Sequence, residues 1–502
     1  MLRILPCLFL LLAVTACAPE RLSPDDTSAP PLTHAALDEL VANHLRTTDR
    51  VFDWNAAPDA VVWSALSLSD HQAVLGYRPA GVTDVRARIH EIDVAEPAWR
   101  VTRDRLVSDL IAATERATGT APTEEELFVA PEDGVLPVLE VRILHPEVLA
   151  AFRNRPDVRY LEPSNYTAGE VQFRSDSGCS EAPAADVDAE DYRTVSPGAK
   201  VAWNYDPMGI PAAWARSRGE DIGICIIDSG TYPEQDRLNG GFGSGRELTR
   251  AGTYQPSWWS SRTDGPDDQC GHGTQMAGLA TAPRTGTGSS VGVAYRSDLL
   301  AIRATSDVII NASKEKRGVK YALVLAGNDA GTHVVSMSIG DVFSSGTVED
   351  GIHYARNRGK LIFCAAGTSL TWTSWYGVIF PANLPETVAV TGIQTGTPYL
   401  RCNTCHDGSE VDLVAVMQRR EDNGRSTITL SRSGATPGYV GGSSAATATM
   451  AGIAALVWAT DPTQSSSQVY ERLKRSASLY PSRDGNFGWG IVNADLATRN
   501  AL

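Results

Sequence analysis

Apolar positions along the chain follow two different regimes. Downstream of about residue 201, short unbroken apolar runs alternate with longer stretches of helical spacing. Residues 221–227 are one such run; it ends in Asp228-Ser229-Gly230 and reads as a buried strand with a carboxylate at its C-terminal end. Residues 299–304, 334–338, 360–366 and 387–391 read as further buried strands, and residues 275–280 and 348–357 as helices. After the turn Gly442-Ser443-Ser444, an Ala-rich apolar stretch continues to Trp458 with the composition of a buried helix, Ser444 lying in its first turn. Strands alternating with helices imply an α/β fold with a mostly parallel sheet covered on both faces. The chemistry of such a sheet collects at the carboxyl ends of its strands.

Upstream the rhythm changes. Residues 85–94 alternate as a strand, residues 101–117 have helical spacing, and residues 126–130 and 135–144 read as a hairpin around Pro131-Glu132-Asp133-Gly134. A short helix at 146–152 and a last strand at 158–161 complete a β-α-β-β-α-β order, the ferredoxin-like α+β arrangement. Residues 18–31, rich in Pro, Ser and Asp, have the composition of a tether. One helix is expected at 37–45, and residues 32–81 otherwise suggest no function. Residues 167–200 carry little periodicity and read as a junction.

With 502 residues, the chain has room for a large domain and one or two smaller ones. A formal charge of −15 argues against nucleic acid or an anionic membrane surface as partner. Met1-Leu2-Arg3 followed by apolar residues 4–14 reads as an export signal too short to span a bilayer. Its end, Val14-Thr15-Ala16-Cys17, resembles the lipobox of bacterial lipoproteins, in which the cysteine becomes the acylated first residue. That resemblance implies removal of residues 1–16 and a lipid anchor on Cys17. With Ala18 rather than Asp next, it points to the outer membrane if the cell is Gram-negative. The plainer reading is cleavage near Ala16 or Ala18 and free secretion.

The candidate chemistry lies in three stretches in the order Asp228, His272, Ser444, one of the chain orders in which a serine-protease triad occurs. An α/β-hydrolase would need a His after the serine, and the last His is His406. Asp228-Ser229-Gly230, Gly271-His272-Gly273-Thr274 and Gly442-Ser443-Ser444 followed by an Ala-rich helix closing on Ala451-Gly452 resemble the three signatures of the subtilisin-like serine proteases, the subtilases of peptidase family S8. The resemblance runs through residues 201–502 as a catalytic domain with a three-layer α/β fold. Residues 82–166 resemble the inhibitor-I9-like prodomain of such enzymes. The layout expected is a signal peptide at 1–16, a tether and unassigned region at 17–81, the prodomain at 82–166, a junction at 167–200 and the catalytic domain at 201–502, with autocatalytic cleavage within 165–200.

By that resemblance Ser444 is the nucleophile, His272 the general base and then acid, and Asp228 the residue that orients the imidazole. Ser338, Ile339 and Gly340 with Ala365, Ala366 and Gly367 line the pocket for the residue before the cut. Ile379 stands at the pocket floor, where deep-pocketed relatives have Gly, and should favour small or medium side chains. Two positions depart from the family pattern: Ser443 replaces the usual Thr, and Thr368 replaces the Asn whose amide donates to the oxyanion. Protein or peptide substrates, the chain's own prodomain as inhibitor and a membrane held through lipid are the implied partners. The second reading is a subtilase-fold binding protein with little activity, supported by Thr368 alone.

The remaining cysteines give smaller signals. Cys402-Asn403-Thr404-Cys405-His406 fits the haem-attachment pattern, a small disulfide or coincidence. Cys225 and Cys364 read as packed thiols, while Cys179 and Cys270 have no assignable partner. No cofactor is required and no metal site is assigned. Subtilases often bind structural calcium, but Asp264, Asp267 and Asp268 lack a ligand pattern and read as a solvated acidic turn.

Overall fold

The structure, a computed structural model, describes residues 30–168, 179–243, 245–256, 262–368 and 377–499. Its first part holds an antiparallel sheet of β1 (Gln72–Tyr77), β2 (Val138–Arg142) and β3 (Val158–Pro163), in the order β2-β1-β3. Helices His34–Thr48, Asp59–Ser67, Pro97–Thr118 and Pro146–Arg153 share one apolar core with it.

Two expected strands take other forms. Residues 85–94 coil into a 3-10 helix, Arg86–Glu91, because the Asp84 carboxylate accepts the Ala87 N–H (3.1 Å) and starts a turn. Residues 126–130 enter a helical turn, Glu124–Leu127, closed by a Thr123–Glu126 capping box, which leaves one antiparallel bridge from Phe128 to Val141. The central strand is instead β1, which lies in the stretch without an expected function. All six of its residues are buried, so it has no polar face to announce it. Folded structure therefore begins well before residue 82.

The larger part is built on a seven-stranded sheet, parallel throughout: β4 (Gly223–Asp228), β5 (Leu248–Gly252), β6 (Asp298–Arg303), β7 (Thr332–Met337), β8 (Leu361–Ala365), β9 (Val388–Gln394) and β10 (Leu413–Gln418). The order is β10-β9-β8-β7-β4-β6-β5. Strand β4 explains its own sequence. Ile224 and Ile226 enter one core with Met276, Leu279, Met450 and Ile453, while Cys225 and Ile227 enter the opposite core with Val319, Leu323, Val348 and Ile352. A strand buried on both faces must be apolar at every position. Asp228, two residues beyond Ile226, turns to the face that carries the helices His272–Thr281 and Gly442–Trp458.

The two parts are joined by a charged, buried seam on helices Ser313–Asn328 and Gly346–Asn357. Lys320, 1% exposed, pairs with Asp133 at 2.6 Å, and Arg317 pairs with Glu140 at 3.0 Å. Asp350, fully buried, receives Arg159 (2.9 Å) and the Tyr160 hydroxyl (2.8 Å). Glu162 accepts the Gly346 N–H at 2.8 Å, at the exposed-donor end of that helix. Gly346 has to be glycine: a Cβ there would lie 2.7 Å from the Tyr160 ring. Residues 34–54 add a second hold. Phe52 N–H donates to Val342 O (2.8 Å), and Ser344 N–H donates to Phe52 O (3.0 Å). Trp54 stacks on Phe343 with centroids 5.1 Å apart.

The seam carries a pH dependence. Burial pushes the Glu162 carboxyl up from 4.5 to about 8, with Glu349 and Asp53 adding to it against Lys316 and the Gly346 N–H. Burial pushes Glu349 up to about 7, with Asp350, Asp53 and Glu386 against Arg86. Carboxyls raised by docking favour the docked state at low pH, and that contribution is lost as pH rises through 7 to 8. Each loses about 1.4 kcal/mol per pH unit between its ordinary value and its docked value, and nothing further above the docked value. The melting temperature of the intact chain should fall on going from pH 6 to pH 9; a flat profile there would contradict this reading of the seam.

Candidate active site

The carboxyl edge of the sheet brings Asp228 and His272 together. Asp228 ends β4 and is 1% exposed, and its Oδ1 accepts the Ser229 N–H at 2.8 Å. His272 opens its helix and is 5% exposed. Its Nδ1 lies 2.8 Å from Asp228 Oδ1 and 3.0 Å from Oδ2. A carboxylate only accepts, so Nδ1 carries the proton and Nε2 is left as the acceptor. Burial alone would lower the imidazole pKa. The charge and hydrogen bond of Asp228, with the charge of Asp268, outweigh it and raise the value above 6.5.

Ser444 is the third residue of its helix and half-buried. The Ser444 carbonyl accepts the Ser338 hydroxyl at 3.0 Å, which ties this helix start to the end of β7, the strand beside β4. Gly442, with φ of +80°, makes the turn into the helix; a Cβ on it would meet Thr368 Oγ1 at 2.8 Å.

Thr368 is exposed, and its hydroxyl joins a small network. Thr368 Oγ1 accepts the Ser443 N–H (3.0 Å) and lies 2.7 Å from Ser443 Oγ, which accepts the Gly367 N–H (3.2 Å). The two hydroxyls share one proton between them, so the other proton stays available to an outside acceptor. The two positions that depart from the family pattern thus touch one another, a link that residue-by-residue comparison does not reveal.

The expected pocket residues also converge. Ile379 N–H donates to Ala366 O at 3.0 Å, and a Cβ on Gly340 would lie 2.6 Å from Ile379 Cδ1. Ile339 is buried beside them and Ala365 ends β8. A branched side chain therefore fills space next to Gly340. Cys17 lies outside the described residues.

Among the described residues the cysteines resolve into two disulfides and two buried thiols, Cys225 and Cys364. Cys179 bonds to Cys270, two residues before His272, across 91 positions of sequence. Cys402 bonds to Cys405, so the two sulfurs a haem would need are joined to each other. Residue 405 bridges Thr368, and His406 Nδ1 hydrogen-bonds Gly377 O at 3.0 Å. The acidic turn is not solvated as expected. Asp264 pairs with the buried Arg303 (2.8 Å), Asp267 pairs with Arg250 (2.7 Å), and Asp268 is 4% exposed. The buried Arg303, 39 residues away, takes up the charge of Asp264 in a way that spacing alone does not show. Among the described residues no group of three or more His, Cys, Asp or Glu side chains is placed to hold a metal ion.

A buried Asp–His pair lies at the carboxyl edge of a seven-stranded parallel sheet, and the relatives define the class: the protein is a serine endopeptidase. Residues 219–490, more than half the chain, match the Subtilase family, and the chain belongs to that family. It is 27% identical over 397 residues to an alkaline protease of Alkalihalobacillus alcalophilus, covering 78% of this chain and 87% of that one. To Subtilisin Savinase of Lederbergia lenta it is 29% identical over 303 residues, 60% of this chain and 99% of the relative. The structure of fervidolysin from Fervidobacterium pennivorans, a keratinolytic enzyme related to subtilisin, superposes with a TM-score of 0.61 at 17% identity. That match covers 86% of this chain and 61% of fervidolysin, and it shows the shared fold.

Removing Cys179–Cys270 by a double substitution to Ser frees a loop of about 90 residues and should cost about 2–4 kcal/mol of stability. The check is the melting temperature against wild type, with the Cys402→Ser/Cys405→Ser chain as the short-loop comparison.

Proposed function

We propose that the chain is the zymogen of an exported subtilase in which Ser444, His272 and Asp228 act as a triad. The observation that carries this is the 2.8 Å hydrogen bond from His272 Nδ1 to Asp228, which leaves Nε2 to receive a proton. Ser444 Oγ attacks the scissile carbonyl as His272 Nε2 takes its proton. The resulting imidazolium is held by Asp228, and the proton then passes to the leaving amine. Water, activated by the same imidazole, releases the acyl group from Ser444. The spare proton of the Thr368–Ser443 pair and the Ser444 N–H are the proposed donors to the oxyanion.

Residues 34–168 are the proposed inhibitory unit, an extended form of the prodomain expected at 82–166. The extension has work to do in this reading: Tyr166 OH donates to Asp38 (2.7 Å), and His34 Nε2 meets Thr167 O (3.1 Å). Both contacts hold the end of the unit just before the junction. From Cys179 onward the chain is fastened to the catalytic part by the disulfide and by pairing of β-strand Tyr192–Val195 with Ala199–Ala202. A cut before Cys179 frees the N-terminal unit, whereas a cut after it leaves the unit tethered through sulfur. Two disulfides suit an oxidising compartment and so support export. Among the described residues no helix is long and apolar enough to cross a membrane. Membrane attachment in this reading comes from lipid on Cys17, on the far side of the cut, so maturation releases the enzyme.

Expression of the full precursor tests this. Wild type should shorten and leave the membrane fraction, while Ser444→Ala should stay full length; equal shortening of both would remove the support for self-processing. Replacing Ile379 by Gly should deepen the pocket. The ratio of kcat/KM for Phe over Ala before the cut should rise roughly 10-fold or more, as a few buried methylenes allow, and an unchanged ratio would remove Ile379 from the pocket floor.

A further inference from the structure

We infer that Asp268 is a positioning residue for His272, a second buried carboxylate that locks the turn from which the His272 helix starts against the end of β4. The inference rests on the triad proposed above. The first turn of any helix leaves N–H groups without intrahelical partners. Here the N-cap is Gly271, in the left-handed region with φ of +93°, and it has no side chain to cap them. Asp268 does so from three residues upstream. Its Oδ1 accepts the N–H groups of Cys270 (2.9 Å) and Gly271 (2.7 Å), and its Oδ2 accepts Thr274 N–H (3.0 Å) and Thr274 Oγ1–H (2.6 Å).

Ser229 carries the lock across to the strand. Its hydroxyl donates to Asp268 Oδ1 (2.9 Å) and accepts the Gly273 N–H (2.9 Å). Ser229 follows Asp228 directly, so the two elements that hold Asp228 and His272 are cross-linked one residue away from each of them. Thr274 Oγ1 adds a link by accepting the Tyr232 N–H (2.9 Å) from the loop after β4. Five donors converge on one carboxylate, and all five are neutral; among the described residues no cation is paired with it. The charge of Asp268 therefore acts on the site uncancelled by any partner.

The titratable groups that act on the imidazole are Asp228 from β4 and Asp268 from the turn, and Tyr232 faces Asp268. Both carboxylates favour the imidazolium that forms when His272 takes the serine proton. A neutral Asn at 268 would lose that charge and would also turn an amide N–H₂ against N–H or O–H donors on one side, loosening the turn.

The test uses the matured enzyme made from the full chain, with active sites counted by a serine-reactive phosphonate. Per titrated site, Asp268→Asn should lower kcat roughly tenfold or more with KM within about twofold, as a small misplacement of a catalytic group does. The acid limb of kcat/KM should move to lower pH by about half a unit, since the lost negative charge had raised the imidazole. Asp268→Glu, which keeps the charge, should return the limb toward wild type. Ser229→Ala, which keeps the charge and removes only the cross-link, should lower kcat about threefold and leave the limb in place. If Asp268→Asn does not fold, the Ser229→Ala result decides, and an unchanged kcat overturns the inference. A lower melting temperature with kcat and acid limb both unchanged also overturns it. If wild type contains no titratable serine, the triad itself fails, and the inference falls with it.

Discussion

The short hydrogen bond between a buried carboxylate and a buried imidazole is the constraint on which this structure turns. Asp228 is almost inaccessible to water, and a buried carboxylate is tolerated only when donors surround it. The Ser229 N–H and His272 Nδ1–H are those donors. Holding both requires that the strand bearing Asp228 and the helix bearing His272 meet at a fixed angle and depth. The two-sided core of β4, the glycine turn at 271 and the capping of the His272 helix from Asp268 each serve that one placement. The serine arrives on a third element, fixed to the neighbouring strand through Ser338.

The N-terminal unit meets this machinery through charge more than through oil. Lys320, Arg317, Asp350 and Glu162 are buried at the seam and Arg159 is half-buried there, and all are paired or capped. Buried pairs of this kind add little net stability, because desolvation offsets the attraction, but breaking one is costly. Such a seam is specific when closed and sensitive to protonation. The aromatic contacts of Phe52, Trp54 and Tyr166 around Phe343 supply the apolar part.

Much of this was legible in the amino-acid sequence, and the limits have physical causes. The unbroken apolar run before Asp228 foretold a strand buried on both faces, and the Gly-rich turns foretold where helices begin. Strand β1 was missed because burial on every side erased its period, and residues 85–94 misled because a single Asp84 carboxylate diverts an alternating pattern into a turn. The Cys179–Cys270 bond joins residues 91 apart, and nothing in the spacing announces it. Asp268 looked like one of three solvated acids; what separates it from Asp264 and Asp267 is the set of backbone donors brought around it by the fold. The link between Ser443 and Thr368 is likewise a property of the turn, which brings together two residues 75 positions apart.

The central claim is that Ser444 is made nucleophilic by the His272–Asp228 pair. Labelling the purified enzyme with a fluorophosphonate and locating the adduct by peptide mass spectrometry tests it most directly. The account predicts one adduct, on Ser444, lost when His272 is replaced by Ala in an otherwise folded chain. An adduct on a different serine, or labelling of Ser444 that is indifferent to His272, would contradict it.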